Sequence, residues 1–133
     1  YITCKVKDGE LYSGGQGTQK GSGVFIYLDT KNECLKEPAE GVYKVWCSYK
    51  GDITVWQGNK GKWENSELEG LQITPSVVSG GYELAFTIPL NRSFNKDAMR
   101  LCATLSTKTY TETLVHSNAD RSCTWMKMNL GGH

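Results

Sequence analysis

Gly81-Tyr82-Glu83-Leu84-Ala85-Phe86-Thr87-Ile88-Pro89 is the stretch that decides the fold. Tyr82, Leu84, Phe86 and Ile88 alternate with Glu83, Ala85 and Thr87. A side-chain period of two marks a strand with one face in a core and the other toward water. Ser79-Gly80-Gly81 before it reads as a reversal of the chain, so residues 71–78 become its partner. Pro75 puts that partner at a sheet edge, because a proline cannot donate to a ladder on both sides.

The same period recurs outward in both directions, and helical periodicity is hard to find. Residues 1–7 form an opening strand with Ile2, Cys4 and Val6 on one face. Val24, Ile26 and Leu28 oppose Phe25 and Tyr27, a segment apolar on both faces and therefore central. In residues 42–49, Tyr43, Val45, Cys47 and Tyr49 oppose Lys44, Trp46 and Ser48. A three-residue loop, Lys50-Gly51-Asp52, then pairs Tyr49 with Ile53 and sets Trp46 directly opposite Trp56. Gly58-Asn59-Lys60-Gly61 reads as a turn, followed by Trp63 and a polar stretch to Gly70. Residues 99–106, 109–115 and 123–130 bring the count to about nine short strands, which predicts an all-β, two-sheet antiparallel β-sandwich. Residues 1–130 make one domain, and 131–133 read as a disordered tail.

Composition excludes several functions. With 15 basic and 14 acidic residues the net charge is +1, which gives no field to hold a polyanion, so no nucleic-acid partner is expected. The longest apolar run, Val24 to Leu28, falls far short of a membrane helix, so no membrane insertion is expected. The chain opens on a strand with neither methionine nor leader, as a mature or excised product would. Five cysteines, with no CxxC pair and no histidine at zinc spacing, argue against structural zinc and leave disulfides open. Cys102 with Cys123, and Cys4 with Cys47, are the candidate bridges, since each pair shares a face type; Cys34 is the odd thiol. Together with the Asn91-Arg92-Ser93 glycosylation acceptor, these features place the chain as secreted or at the cell surface.

The order of the pieces resembles the family-9-type carbohydrate-binding modules and their wider β-sandwich relatives. The matching segments are Tyr1 to Asp8, Gly23-Val24-Phe25-Ile26-Tyr27-Leu28-Asp29, Val42-Tyr43-Lys44-Val45-Trp46, and the Gly81 to Pro89 strand with its Gly-aromatic-x-Glu start and Ile-Pro end. The resemblance implies a jelly-roll sandwich and a non-catalytic, sugar-binding domain. It also implies calcium as the one cofactor left open, with Asp8, Asp29 and Glu33 as candidate ligands. The family's segment before Tyr1 has no counterpart, and its sugar clamp is not matched. Phe25 stands where the family has an acidic residue, Lys44 and Trp46 where it has Arg and Asn, and Gln19, Lys20 and Asn118 at the clamp tryptophans.

Alternation points to a site independently. With Val24, Ile26, Val45, Ile53 and Val55 inward, Phe25, Tyr27, Lys44, Trp46 and Trp56 share the outward face. A sugar presents an apolar C–H face and a rim of hydroxyls. An aromatic platform flanked by Lys44, Gln57 and Asn59, with Trp63 beside the turn, answers both features. Aromatic residues also pack on pleated sheets without any ligand, which is the plainer account of Trp46 and Trp125. Catalysis has few parts: two histidines, His116 and His133, and Glu83, a strand carboxylate expected to pair with a base such as Arg100. The expectation is a non-catalytic, lectin-like module that binds an oligosaccharide or glycan. The alternative is a protein-interaction or adhesion domain that docks a partner domain or chain on the same aromatic face.

Overall fold

The computed structural model describes residues 2–7, 22–88, 94, 98–106, 111–113 and 126–129, and these carry ten strands. They are β1 (Ile2–Lys7), β2 (Gly23–Asp29), β3 (Val42–Ser48), β4 (Ile53–Asn59), β5 (Lys62–Ser66), β6 (Gln72–Val78), β7 (Gly81–Thr87), β8 (Ala98–Ser106), β9 (Thr111–Thr113) and β10 (Met126–Asn129). One sheet has the order β1-β7-β6. The other runs β10-β8-β2-β3-β4-β5, with β9 also on β8, and every pairing is antiparallel.

The strand that decides the fold lies where its pattern puts it. β7 is the middle of the small sheet, and Tyr82, Leu84 and Phe86 are almost wholly buried. They meet Val24, Ile26 and Leu28 of β2, Cys47 of β3, and Leu101 and Ala103 of β8 in one apolar core, joined by Val6 of β1. β2, apolar on both faces, is interior to the long sheet, and β6 with its Pro75 is an edge. The small sheet covers only part of the long one. Toward β4 and β5 the core continues as a second cluster in which Leu68, Phe94 and Met99 pack with Tyr43, Val55 and Leu71.

The structure corrects the sequence reading at two places. The β3–β4 connection closes with Cys47 opposite Ile53, two residues from the expected register, so Trp46 faces Thr54 and Trp56 faces Lys44. The cause is Ser48. Its hydroxyl accepts the amides of Lys50 (3.2 Å) and Asp52 (3.1 Å), while its carbonyl accepts the Gly51 amide (3.0 Å). Such a serine-centred turn starts earlier than the Lys50-Gly51-Asp52 signal suggests. A shift of two leaves every side chain on its predicted face. Second, the polar run after Trp63 begins as a strand: β5 forms a hairpin with β4 across Lys60-Gly61. Cys47 and Cys102 are buried and pack as small apolar side chains, while the side chains of their expected bridge partners, Cys4 and Cys123, fall outside the described residues. Cys47 Sγ lies 3.3 Å from the Ser48 carbonyl, which accepts its hydrogen. Cys34 is free and exposed. Cys123, Trp125, Asn91, Asp8, His116 and residues 131–133 fall outside the described residues.

Candidate functional site

The outward face of the long sheet gathers the aromatic residues. Cross-strand register puts Phe25 beside Trp46 and Thr104, Tyr27 beside Lys44 and Cys102, and Trp56 between Lys44 and Asn65. Trp63, opposite Gly58 on β5, completes the row. Ring centroids step across the face at 6.4 Å from Trp56 to Phe25, 6.3 Å from Phe25 to Tyr27 and 6.0 Å from Tyr27 to Trp63.

Lys44 stands among these rings and does not merely flank them. Its Nζ is 4.9 Å from the Trp56 centroid, 5.2 Å from Phe25, 5.8 Å from Tyr27 and 5.9 Å from Trp63. All four lie within the reach at which a cation is drawn to an aromatic quadrupole. Phe25, Lys44, Trp56 and Trp63 are half-buried, so the pocket is defined by packing yet retains accessible surface.

Trp46 has a different part. It is 2% exposed, packs on Phe25 at 4.8 Å, and its six-membered ring lies across Gly23, where a Cβ would collide with it. Trp46 is thus a support beneath the platform, in agreement with the plainer account of it. Gln57 and Asn59 leave the site altogether. They pair with Tyr43 and Lys62 on the opposite face, where Gln57 Oε1 accepts the Gly41 amide (3.0 Å) and Asn59 Nδ2 donates to Glu64 (3.1 Å). Asn65, across from Trp56, supplies the polar edge instead. It escapes notice in the sequence because β5 has too little apolar content to read as a strand.

A wall at one end comes from the charged segment between β2 and β3. Leu35 packs into the cluster of Tyr27, Val42 and Cys102 together with Phe25 and Trp63. Its signal in the sequence is one leucine among charges. Fully buried Asp29 anchors the segment: one carboxylate oxygen accepts the Glu33 amide (3.2 Å) and the other the Cys34 amide (3.0 Å). Farther along, Pro38 and Ala39 lie so close to Gly58 that a Cβ there would strike their backbone. The Pro38 carbonyl accepts the Gly61 amide at 2.8 Å. Among the described residues no cluster of three metal-ligating side chains occurs, and Asp29 serves backbone amides.

Two further side chains bear on the site. Thr104, behind Phe25, buries a hydroxyl with no hydrogen-bond partner among the described residues. Tyr43, on the far face, has its phenol pushed above the ordinary tyrosine value by burial and then by the nearby Glu40 carboxylate. Glu83 lies opposite Lys5 in the small sheet, whereas Arg100 is in the long sheet and donates from Nε to Asn32 (3.0 Å), so the expected Glu83–Arg100 pair does not form.

No protein-family profile matches the chain, and no curated protein matches it either. Solved structures do. A family 9 carbohydrate-binding module from Caldicellulosiruptor kristjanssonii, in complex with cellotriose, superimposes with a TM-score of 0.77 at 13% identity, covering 98% of this chain and 68% of that one. A second structure of such a module from the same organism, in complex with glucose, gives 0.75 at 13% identity over 98% and 70% of the two chains. The fold is therefore the β-sandwich of family 9 modules, as the sequence motifs imply.

Proposed function

We infer that the protein is a non-catalytic carbohydrate-binding module, lectin-like in mode, that holds an oligosaccharide on the outward face of its long sheet. The observation that carries this reading is the half-buried set of Phe25, Trp56 and Trp63 around Lys44. Ring faces take the apolar side of a sugar, and Lys44 and Asn65 take its hydroxyls, so binding breaks no bond. The fold neighbours captured with cellotriose and glucose support the ligand class. A secreted or surface location follows from the sequence features and from the insoluble or cell-attached nature of most glycans.

Titration of the full chain with cellotriose, read by tryptophan emission and by calorimetry, tests the reading. A saturable change that Trp56→Ala abolishes supports it. Heat and emission that stay flat with cellotriose and with a panel of charged and neutral oligosaccharides overturn it. Concentration-dependent self-association in place of sugar binding would favour the face as a protein interface.

A further inference from the structure

Gln57 and Asn59, which turn away from the aromatic rings, meet other neighbours on the opposite face of the long sheet. With Glu64 and Ser66 of β5, and with Glu40 just ahead of β3, they border a cavity of about 220 Å³ near the β4–β5 turn. Pockets for drug-sized ligands run from roughly 300 to 1,000 Å³, so this smaller one suits a single sugar ring. The side chains that border it are carboxylates, carboxamides and one hydroxyl.

Hydrogen bonding decides what fits there. Gln57 Oε1 accepts the Gly41 amide (3.0 Å), so the carboxamide has its two N–H donors left to offer, and no described residue accepts them. Asn59 Nδ2 donates to one oxygen of Glu64 (3.1 Å), which orients that carboxylate and leaves its other oxygen as an acceptor. Glu40 receives no hydrogen bond or ion pair from the described residues. Donors therefore stand beside acceptors. A hard cation requires oxygen ligands on all sides, whereas Gln57 presents nitrogen, and among the described residues no three metal-ligating side chains cluster. An anion meets two carboxylates. A neutral sugar satisfies both kinds of group, because its hydroxyls donate to carboxylates and accept from amides.

We propose that this cavity is a second sugar subsite, holding one neutral hexopyranose unit by its hydroxyls on the face opposite the aromatic platform. The ligand class rests on the carbohydrate reading above; the location does not. Hydroxyls of the ring donate to Glu40 and Glu64 in charge-assisted bonds, and Gln57 Nε2 donates to a sugar oxygen. No aromatic side chain borders the cavity, so the subsite lacks stacking and is the weaker of the two.

The test follows both sites at once, by proton–nitrogen correlation NMR of the full chain titrated with methyl β-glucoside. The Trp56 indole N–H reports the platform, and the Gln57 side-chain amide reports the cavity. Both signals should move and saturate, the Gln57 signal at the higher sugar concentration. Glu40→Gln should weaken the Gln57 response about tenfold, the size of one charge-assisted hydrogen bond, and leave the Trp56 curve in place. Glu64→Gln, on the other wall, should act in the same way, and thermal melts establish that each exposed substitution leaves the fold intact. A Gln57 signal that stays still while Trp56 responds overturns the subsite and leaves carbohydrate binding standing. A Gln57 curve unchanged in both variants, or a Gln57 signal that moves with calcium chloride and not with the glucoside, also overturns it. A Gln57 response without a Trp56 response supports the subsite and removes the platform. If neither signal moves with the glucoside or with any oligosaccharide, both readings fall.

Discussion

Lys44 and Trp56 are direct cross-strand partners, and the lysine Nζ sits 4.9 Å from the tryptophan ring centroid. The pairing exists because the Ser48 turn closes the β3–β4 hairpin two residues earlier than a three-residue loop would. Had Trp46 stood in that place, the half-exposed ring would be opposite a buried one.

The two tryptophans should therefore separate when each is replaced. Trp46→Ala removes a ring that is 2% exposed and should cost about 3–5 kcal/mol of folding stability, seen as a lower urea midpoint. Trp56→Ala, from a half-buried position, should leave most of the stability in place and weaken sugar binding by about 2 kcal/mol, roughly thirtyfold. Equal stability losses in the two variants would contradict the division of roles.

Gly58 is the contact point between β4 and the wall segment. Gly58→Ala places a methyl group against the Pro38 and Ala39 backbone, which cannot yield as a flexible side chain does. We expect a loss of about 1–3 kcal/mol, together with weaker ligand binding, since Leu35 lies on the same segment. Thermal unfolding and titration of this variant check both effects.

Thr104→Val should run the other way. The buried hydroxyl has no partner among the described residues, so an isosteric methyl group removes a desolvated polar atom. The variant should be equally stable or more stable, by about 1 kcal/mol. A clear loss in chemical denaturation would show that the hydroxyl is in use.

Alkaline pH should destabilise the protein in part through Tyr43. Its folded pKa lies above the ordinary tyrosine value, because burial and then Glu40 disfavour the phenolate. Above about pH 10 the unfolded chain releases this proton before the folded one does, so stability present below that pH is lost as pH rises. Tyr43→Phe should reduce the slope of stability against pH in that window and leave neutral-pH behaviour nearly unchanged. An identical slope in both proteins would dismiss the effect.

Much of the architecture was legible because strand alternation is a local signal. Tyr82, Leu84 and Phe86 announce a buried face, Pro75 an edge, and Phe25 with Tyr27 a strand that needs cover on both sides. The membership of the outward face followed from the same period and survived the register error, since a shift of two conserves the face. What stayed hidden depends on contacts distant in sequence. β5 carries Asn65 on a strand too polar to recognise. Leu35 reaches the face only because Asp29 folds the segment back through two amides. Gln57 and Asn59 looked suitable by proximity to Trp56, yet a neighbour in a strand points the opposite way, as Asn65 across the ladder does not. In the sequence Lys44 has the look of a rim residue, because nothing in a linear order reveals how four rings from three strands close around one ammonium.

Trp63 belongs to β5, which among the described residues ends the long sheet and is paired along one side only. One ring of the pocket is thus mounted on an edge strand, while Phe25 and Tyr27 ride on an interior strand. Terminal strands open more readily than the core, so fraying of β5 would dismantle the pocket without unfolding the sandwich. A bound ligand that touches Trp63 must then hold that strand shut, and slower amide exchange at Lys62–Ser66 becomes a label-free record of occupancy.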